Sequence, residues 1–222
     1  VLPCLETLGL LLDYGIRGAR GILARSADDA ARWAGQLRAP VAMKVESPDL
    51  SHRRRANLVR LDVASADEAR ACFGELMNEA RRAFPGANLR GVLVQEMIRD
   101  GIEVMLGLRH DPGSGPVIAA GFREPAGDAS RRLSSPGAPL TRADAEAMLR
   151  ALPGFSLLAH PLDRPPPDLA ALVDAVLGLS RLAEEADGAI AALDIHPLLV
   201  LPEGRGAIAL NAFTVLSEQF GR

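Results

Sequence analysis

Ala39–Val63 reads APVAMKVESPDLSHRRRANLVRLDV. It sets Lys44 in the apolar run VAMKV, turns at Ser47-Pro48-Asp49, passes through Arg53-Arg54-Arg55 and enters a second apolar run at Leu58–Val63. Short apolar runs bounded by Pro, Asp and Ser predict two strands. The charge inside the first strand needs explaining, because burying an unpaired ammonium costs on the order of several kcal/mol. Two readings stand. Lys44 lies on the wet face of a half-buried strand and runs its stem along apolar neighbours, or the strand holds the amine where an anion, most often a phosphate, neutralises it. On local pattern alone the solvated lysine is the commoner case.

Outward from this stretch the pattern alternates helix and strand. Leu2, Leu5, Leu8, Leu11 and Leu12 have helical spacing, and Gly15 stops the helix; Ile16–Ala24 is extended. Ser26 followed by Asp29 opens a second helix carrying Ala30, Trp33, Ala34 and Leu37 on one face, which ends before Pro40. Beyond Val63, the capping box Ser65-Ala66-Asp67-Glu68 starts a helix whose apolar stripe runs to Phe84-Pro85-Gly86. Strands are predicted over Leu89–Met97, Ile102–Leu108 and Pro116–Phe122. Residues 123–139 are rich in Gly, Pro, Ser and Arg and read as a long loop, a feature that in a small protein is usually functional or mobile. Thr141 with Asp144 opens the next helix, His160–Pro167 is a proline-rich connector, and Asp168–Ala186 is the longest helix.

Two final strands, Ala191–Leu201 and Ala207–Val215, flank a turn near Gly204. In the first, Leu193 and Ile195 point one way and Asp194 and His196 the other. Pairing across the turn brings His196 opposite Asn211 or Ala212. Such a pair can hold a metal or a phosphate, or it is a satisfied buried hydrogen-bond pair. One strand–helix step followed by consecutive strands predicts an α+β fold, with helices on one face of mostly antiparallel sheets.

The 222 residues carry 25 basic and 28 acidic side chains, a net charge of −3, and only 4% aromatic residues, which argues against a nucleic-acid binder. Cys4 and Cys72 stand far apart with no CxxC, excluding a zinc knuckle or a disulfide framework. No apolar run approaches the ~20 residues of a membrane span, so a cytoplasmic, membrane-free protein is expected.

Lys44, the run LRGVLVQEMIRDGIEVMLGLRHDPGSGPVIAAG at 89–121, LDIHPLLV at 193–200 and ALNAFTV at 209–215 occur in this order in one family. Over residues 5–215 the chain resembles the ATP-grasp domain of NDP-forming acyl-CoA synthetases, related to the beta chain of succinyl-CoA synthetase. The resemblance implies two α+β lobes clamping ATP or ADP with Mg²⁺, and a CoA-binding, alpha-type partner domain or subunit that carries a phosphorylated histidine. Homo-oligomerisation is left open. It further implies an N-terminal helix, 1–20, packing on the C-terminal lobe, an N-terminal lobe over 21–97 and a C-terminal lobe over 98–222. By the same resemblance Lys44 reaches the nucleotide phosphates, Gln95, Glu96, Met97 and Ile98 form the hinge over the adenine, and Glu103 lies at the ribose or phosphate end. His196 and Asn211 stand at the metal positions.

The departures are concentrated. Arg53–Val59 replaces a loop that in the family ends Gly-Gly-Val, and a loop of the form Gly-x-Gly-Gly is replaced by Gly121-Phe122-Arg123-Glu124-Pro125, where Pro125 offers no N–H to a phosphate. At the metal, the family's glutamate, asparagine and aspartate become Ala192, His196 and Asn211, a poor set for a hard cation that prefers carboxylates. Asp194 with His196 would suit a softer metal, but two ligands do not make a site. Two functions are therefore expected: the nucleotide-binding component of an acyl-CoA synthetase, an acid–CoA ligase (ADP-forming) if active, or a catalytically silent relative with a structural or regulatory role toward a partner.

Overall fold

The computed structural model describes residues 1–50, 58–111, 113–122, 133–135, 137–159 and 164–217. The chain divides into two units: Val1, Pro3–Leu5 and Ala19–Arg99 form the first, and Leu2, Glu6–Gly18 and Asp100–Arg222 the second.

In the first unit, strands β1 (Gly21–Ala24), β2 (Val41–Glu46), β3 (Val59–Val63) and β4 (Gly91–Glu96) form a sheet of order β1-β4-β2-β3, antiparallel throughout. Period-two alternation sorts β2 into two faces. Val41, Met43 and Val45, with Val92 and Val94 of β4, are fully buried in a core shared with Ala30 and Ala34 of α2 (Ala27–Leu37) and Ala69, Cys72, Leu76 and Ala80 of α3 (Ala66–Ala83). Ala42, Lys44 and Glu46 take the other face, in register with Gln95, Leu93 and Gly91. Small residues on α2 and α3 let both helices lie close over the β-branched face. Ser26 and Ser65 cap them by accepting from the Asp29 and Glu68 amides, each at 3.1 Å. The return bond of the predicted Ser65 box lands one residue earlier: Glu68 Oε2 accepts from Ala64 N at 2.8 Å.

In the second unit, β5 (Ile102–Asp111), β6 (Gly115–Phe122), β7 (Leu133–Ser135), β8 (Ile190–Val200), β9 (Ala207–Ala209) and β10 (Ala212–Leu216) form an antiparallel sheet of order β10-β8-β5-β6-β7, with β9 also paired to β8. Leu106, Leu108, Ile118, Ala120, Leu193 and Ile195 occupy its buried face. Helix α6 (Leu169–Glu185) packs across β5, β6 and β8, burying Leu172, Val176 and Leu179. Helix α4 (Arg142–Arg150) starts with the expected capping box of Thr141 and Asp144. The alternation, the antiparallel pairing and the helix-covered faces confirm the α+β ATP-grasp architecture read from the sequence.

Three elements differ from the expectation. A short helix, α5 (Phe155–Ala159), precedes the proline-rich connector, and β7 lies within the stretch read as loop. The single strand expected over Ala207–Val215 is two, broken at Leu210-Asn211. Pro197 on the facing strand has no N–H for the ladder. The chain compensates by sending Leu210 N to Pro197 O (2.9 Å) and His196 N to Asn211 O (2.8 Å).

Helix α1 (Cys4–Asp13) ends against α6. The Tyr14 carbonyl accepts from Arg181 Nη2 at 3.2 Å, and the Tyr14 hydroxyl donates to Glu185 Oε2 at 2.8 Å. Gly178 permits this approach, because a Cβ there would lie 2.4 Å from Tyr14 O. Among the described residues no helix is long and apolar enough to cross a membrane.

Gly178→Ala should therefore destabilise the chain by about 1–3 kcal/mol despite a helix propensity that favours alanine, read as a lower thermal midpoint; an unchanged or higher midpoint would refute the close packing. The thiols offer a second check. Cys4 is fully buried and Cys72 is 6% exposed, and burial pushes the Cys72 thiol up to about 11. At pH 8 about one Cys72 in a thousand is thiolate, so a thiol reagent should label both cysteines only in denaturant.

Candidate functional site

Each candidate residue is placed by strand alternation in its own unit. Lys44 sits mid-strand on β2 between Leu93 of β4 and Val59 of β3, half-buried, on the face opposite the helices. The buried Leu93 and the half-buried Val59 flank its stem.

The β4 end is held by Arg20. Glu96 accepts from Arg20 N and Arg20 Nε, each at 2.8 Å, and returns its own N–H to Arg20 O at 2.9 Å. The Glu96 carboxylate is thereby committed. Gln95 is 2% exposed and its Nε2 reaches Ala19 O at 3.4 Å. Strand β4 stops at Glu96, and the half-buried Met97 and Ile98 continue outside the ladder. Of the four expected hinge residues, the two inside the strand, Gln95 and Glu96, have engaged side chains.

In the second unit, Glu103 is exposed on β5 opposite Leu199. It follows Gly101, whose φ of 133° and close approach to Val200 O (3.1 Å from a built Cβ) exclude a side chain. On β8, Leu193 and Ile195 are buried while Asp194 and His196 lie half-buried on the outer face, as the alternation predicts. His196 and Asn211 come together: besides the 2.8 Å amide bond, Asn211 Nδ2 donates to His196 O at 3.1 Å.

The same face carries a residue not singled out in the sequence. Arg109 of β5 donates through Nη2 to Asp194 Oδ2 at 2.7 Å and through Nη1 to Leu108 O (2.9 Å) and Leu193 O (3.2 Å). The register sets Gly107 opposite Asp194 and Ala192 opposite Arg109, so the guanidinium crosses small neighbours to reach the carboxylate. Its signal in the sequence was a basic residue on the outward phase of β5, but pairing it with Asp194 requires the β5–β8 register.

This donor set does not fit Mg²⁺. A hard cation needs several oxygen ligands, carboxylates foremost. Here Asp194 is bound to Arg109, Asn211 offers one neutral amide oxygen where a carboxylate would serve better, and His196 offers imidazole. Among the described residues no group of three His, Cys, Asp or Glu is arranged to hold a metal ion. His52, the arginines 53–55, His160 and the loop from Arg123 to Arg132 lie outside the described residues.

The family model of the ATP-grasp domain matches residues 1–216. The beta subunit of acetate–CoA ligase [ADP-forming] II from Pyrococcus furiosus is 32% identical over 215 residues, covering 95% of this chain and 89% of that protein. Among solved structures, the dinucleotide-forming acetyl-coenzyme A synthetase 1 of Ca. Korarchaeum cryptofilum, in complex with coenzyme A, Ca-AMPCP and HgCl+, superposes with a TM-score of 0.90 at 28% identity, over 97% of this chain and 93% of that one. The same synthetase with coenzyme A and Mg-AMPPCP, its phosphohistidine segment pointing towards the nucleotide-binding site, gives 0.79 at 25% identity, over 96% and 92%. With these matches spanning nearly the whole length, the chain belongs to the ATP-grasp domain family, as a close relative of the beta subunits of NDP-forming acetate–CoA ligases.

Proposed function

We propose that this chain is the nucleotide-binding, beta-type component of an NDP-forming acyl-CoA synthetase. The observation that carries the reading is likeness along the whole chain to a ligase beta subunit, joined to a 0.90 superposition on a synthetase holding a nucleotide analogue. Lys44 supplies a positive charge to a phosphate, as phosphoryl transfer requires where the transferring oxygens spread their charge. The main chain at Gln95, Glu96, Met97 and Ile98 meets the adenine edge, and Glu103 the ribose or phosphate end. The lobes are taken as 21–97 and 98–222, with residues 1–20 belonging to the latter. The partner is a CoA-binding, alpha-type domain or subunit bearing the histidine that relays the phosphoryl group; the coenzyme A and phosphohistidine segment of the Korarchaeum synthetase support that assignment.

A second reading has its own observation. With Asp194 tied to Arg109 and no carboxylate at 211, the electrostatic help a metal gives to transfer is missing from His196 and Asn211, which favours a silent relative that binds nucleotide or a partner without turnover.

Displacement of a fluorescent ATP analogue from the full chain tests the shared core of both. Micromolar ATP should displace it, and Lys44→Met should weaken ATP by about tenfold to a hundredfold, the ~1.5–3 kcal/mol of a hydrogen bond to a charged group, with circular dichroism unchanged. Failure to bind millimolar nucleotide would contradict the proposal. Given a CoA-binding subunit and γ-labelled ATP, label on its histidine selects the active reading; binding without transfer selects the silent one.

A further inference from the structure

The outer face of the second sheet has lost the donor set of a divalent ion but has not lost positive charge. Three acceptors, Leu108 O, Leu193 O and Asp194 Oδ2, hold the Arg109 guanidinium. Its side chain is 45% exposed against 13% for Asp194, so the carboxylate is the covered member of the pair and the guanidinium the accessible one. A guanidinium has five N–H groups. The bonds made here occupy Nη1 and one hydrogen of Nη2, leaving Nε–H and the second Nη2 hydrogen, and among the described residues no further acceptor reaches them. In register, Gly107 lies opposite Asp194 and Ala119, Ala192 and Val117 lie opposite Arg109, and Phe213 is the second partner of Asp194. With its side chain 45% exposed, the guanidinium is open to an anion from solvent. His196 and Asn211 follow on the same face, at the next outward position of β8 and its partner.

We infer that the Arg109 guanidinium is the working cation of this face: it, and no divalent ion, meets a phosphate group of the bound nucleotide. Asp194 is its positioning residue, fixing the planar fork so that little side-chain freedom is lost when the anion arrives. An arginine so held presents donors in the spacing of two phosphate oxygens. The inference rests on the nucleotide reading above and adds that binding is independent of divalent metal.

Calorimetry of ATP and ADP with the full chain, in EDTA and in millimolar Mg²⁺, tests it. The expected result is equal affinity in the two buffers to within about threefold. Arg109→Gln should weaken binding by about tenfold or more in both, with Arg109→Lys intermediate. Because Arg109→Gln strands Asp194, the double variant Arg109→Gln/Asp194→Asn keeps a neutral hydrogen-bonding pair and should show the same loss with an unchanged thermal midpoint. Binding that needs Mg²⁺, or a double variant that binds like the parent, overturns the inference and leaves nucleotide binding standing. No binding in either buffer overturns both.

Discussion

The period-two alternation of β8 is the constraint on which the second unit depends. Leu193 and Ile195 must be inside to close the core under α6, and that requirement turns Asp194 and His196 outward together. A one-residue slip would bury a carboxylate and an imidazole and expose two core side chains. Pro197 then breaks the ladder on the facing side, and the compensating bonds from Leu210 and Asn211 hold Asn211 against His196. The chemistry of the face is thus set by the packing of the core behind it.

The first unit follows the same rule. Val41, Met43 and Val45 face the helices, so Lys44 has to face away from them. Its place within VAMKV is the consequence of strand register, which does not explain by itself why a lysine stands there. Under the proposed function the reason is a nucleotide phosphate, which a stem-buried amine can meet.

Most of the fold was legible because its signals are local. Ser26–Asp29 and Thr141–Asp144 announce helix starts through hydrogen bonds made within one turn, and the apolar stripes of α3 and α6 report their buried faces directly. The pairing of His196 with Asn211 was readable because a hairpin turn at Gly204 limits the register to a few choices. What was not legible depends on contacts between distant segments. The break between β9 and β10 comes from a proline on the opposite strand, and α5 has no capping signal of its own. Arg109 and Asp194 are 85 residues apart, and their 2.7 Å contact exists only once β5 and β8 are in register. Each member of the pair is visible in the sequence; their contact is not.

The retained and altered features therefore divide by physical role. Residues that build the two antiparallel sheets and their helical covers follow the expected strand and helix pattern, while Asp194, His196 and Asn211 make a poor donor set for a hard cation. On the inference drawn above, a fixed guanidinium in place of a divalent ion keeps positive charge at the sheet face but gives up the ion's ability to bridge several oxygens at once.

The central claim is most directly tested by crystallising the chain with a non-hydrolysable ATP analogue in the presence of Mn²⁺ and collecting anomalous data at the manganese edge. The account predicts a phosphate oxygen within hydrogen-bonding distance of Arg109, the Arg109–Asp194 pair intact, and no anomalous peak beside His196 and Asn211. A manganese peak coordinated there, with Arg109 turned away from Asp194, would contradict it.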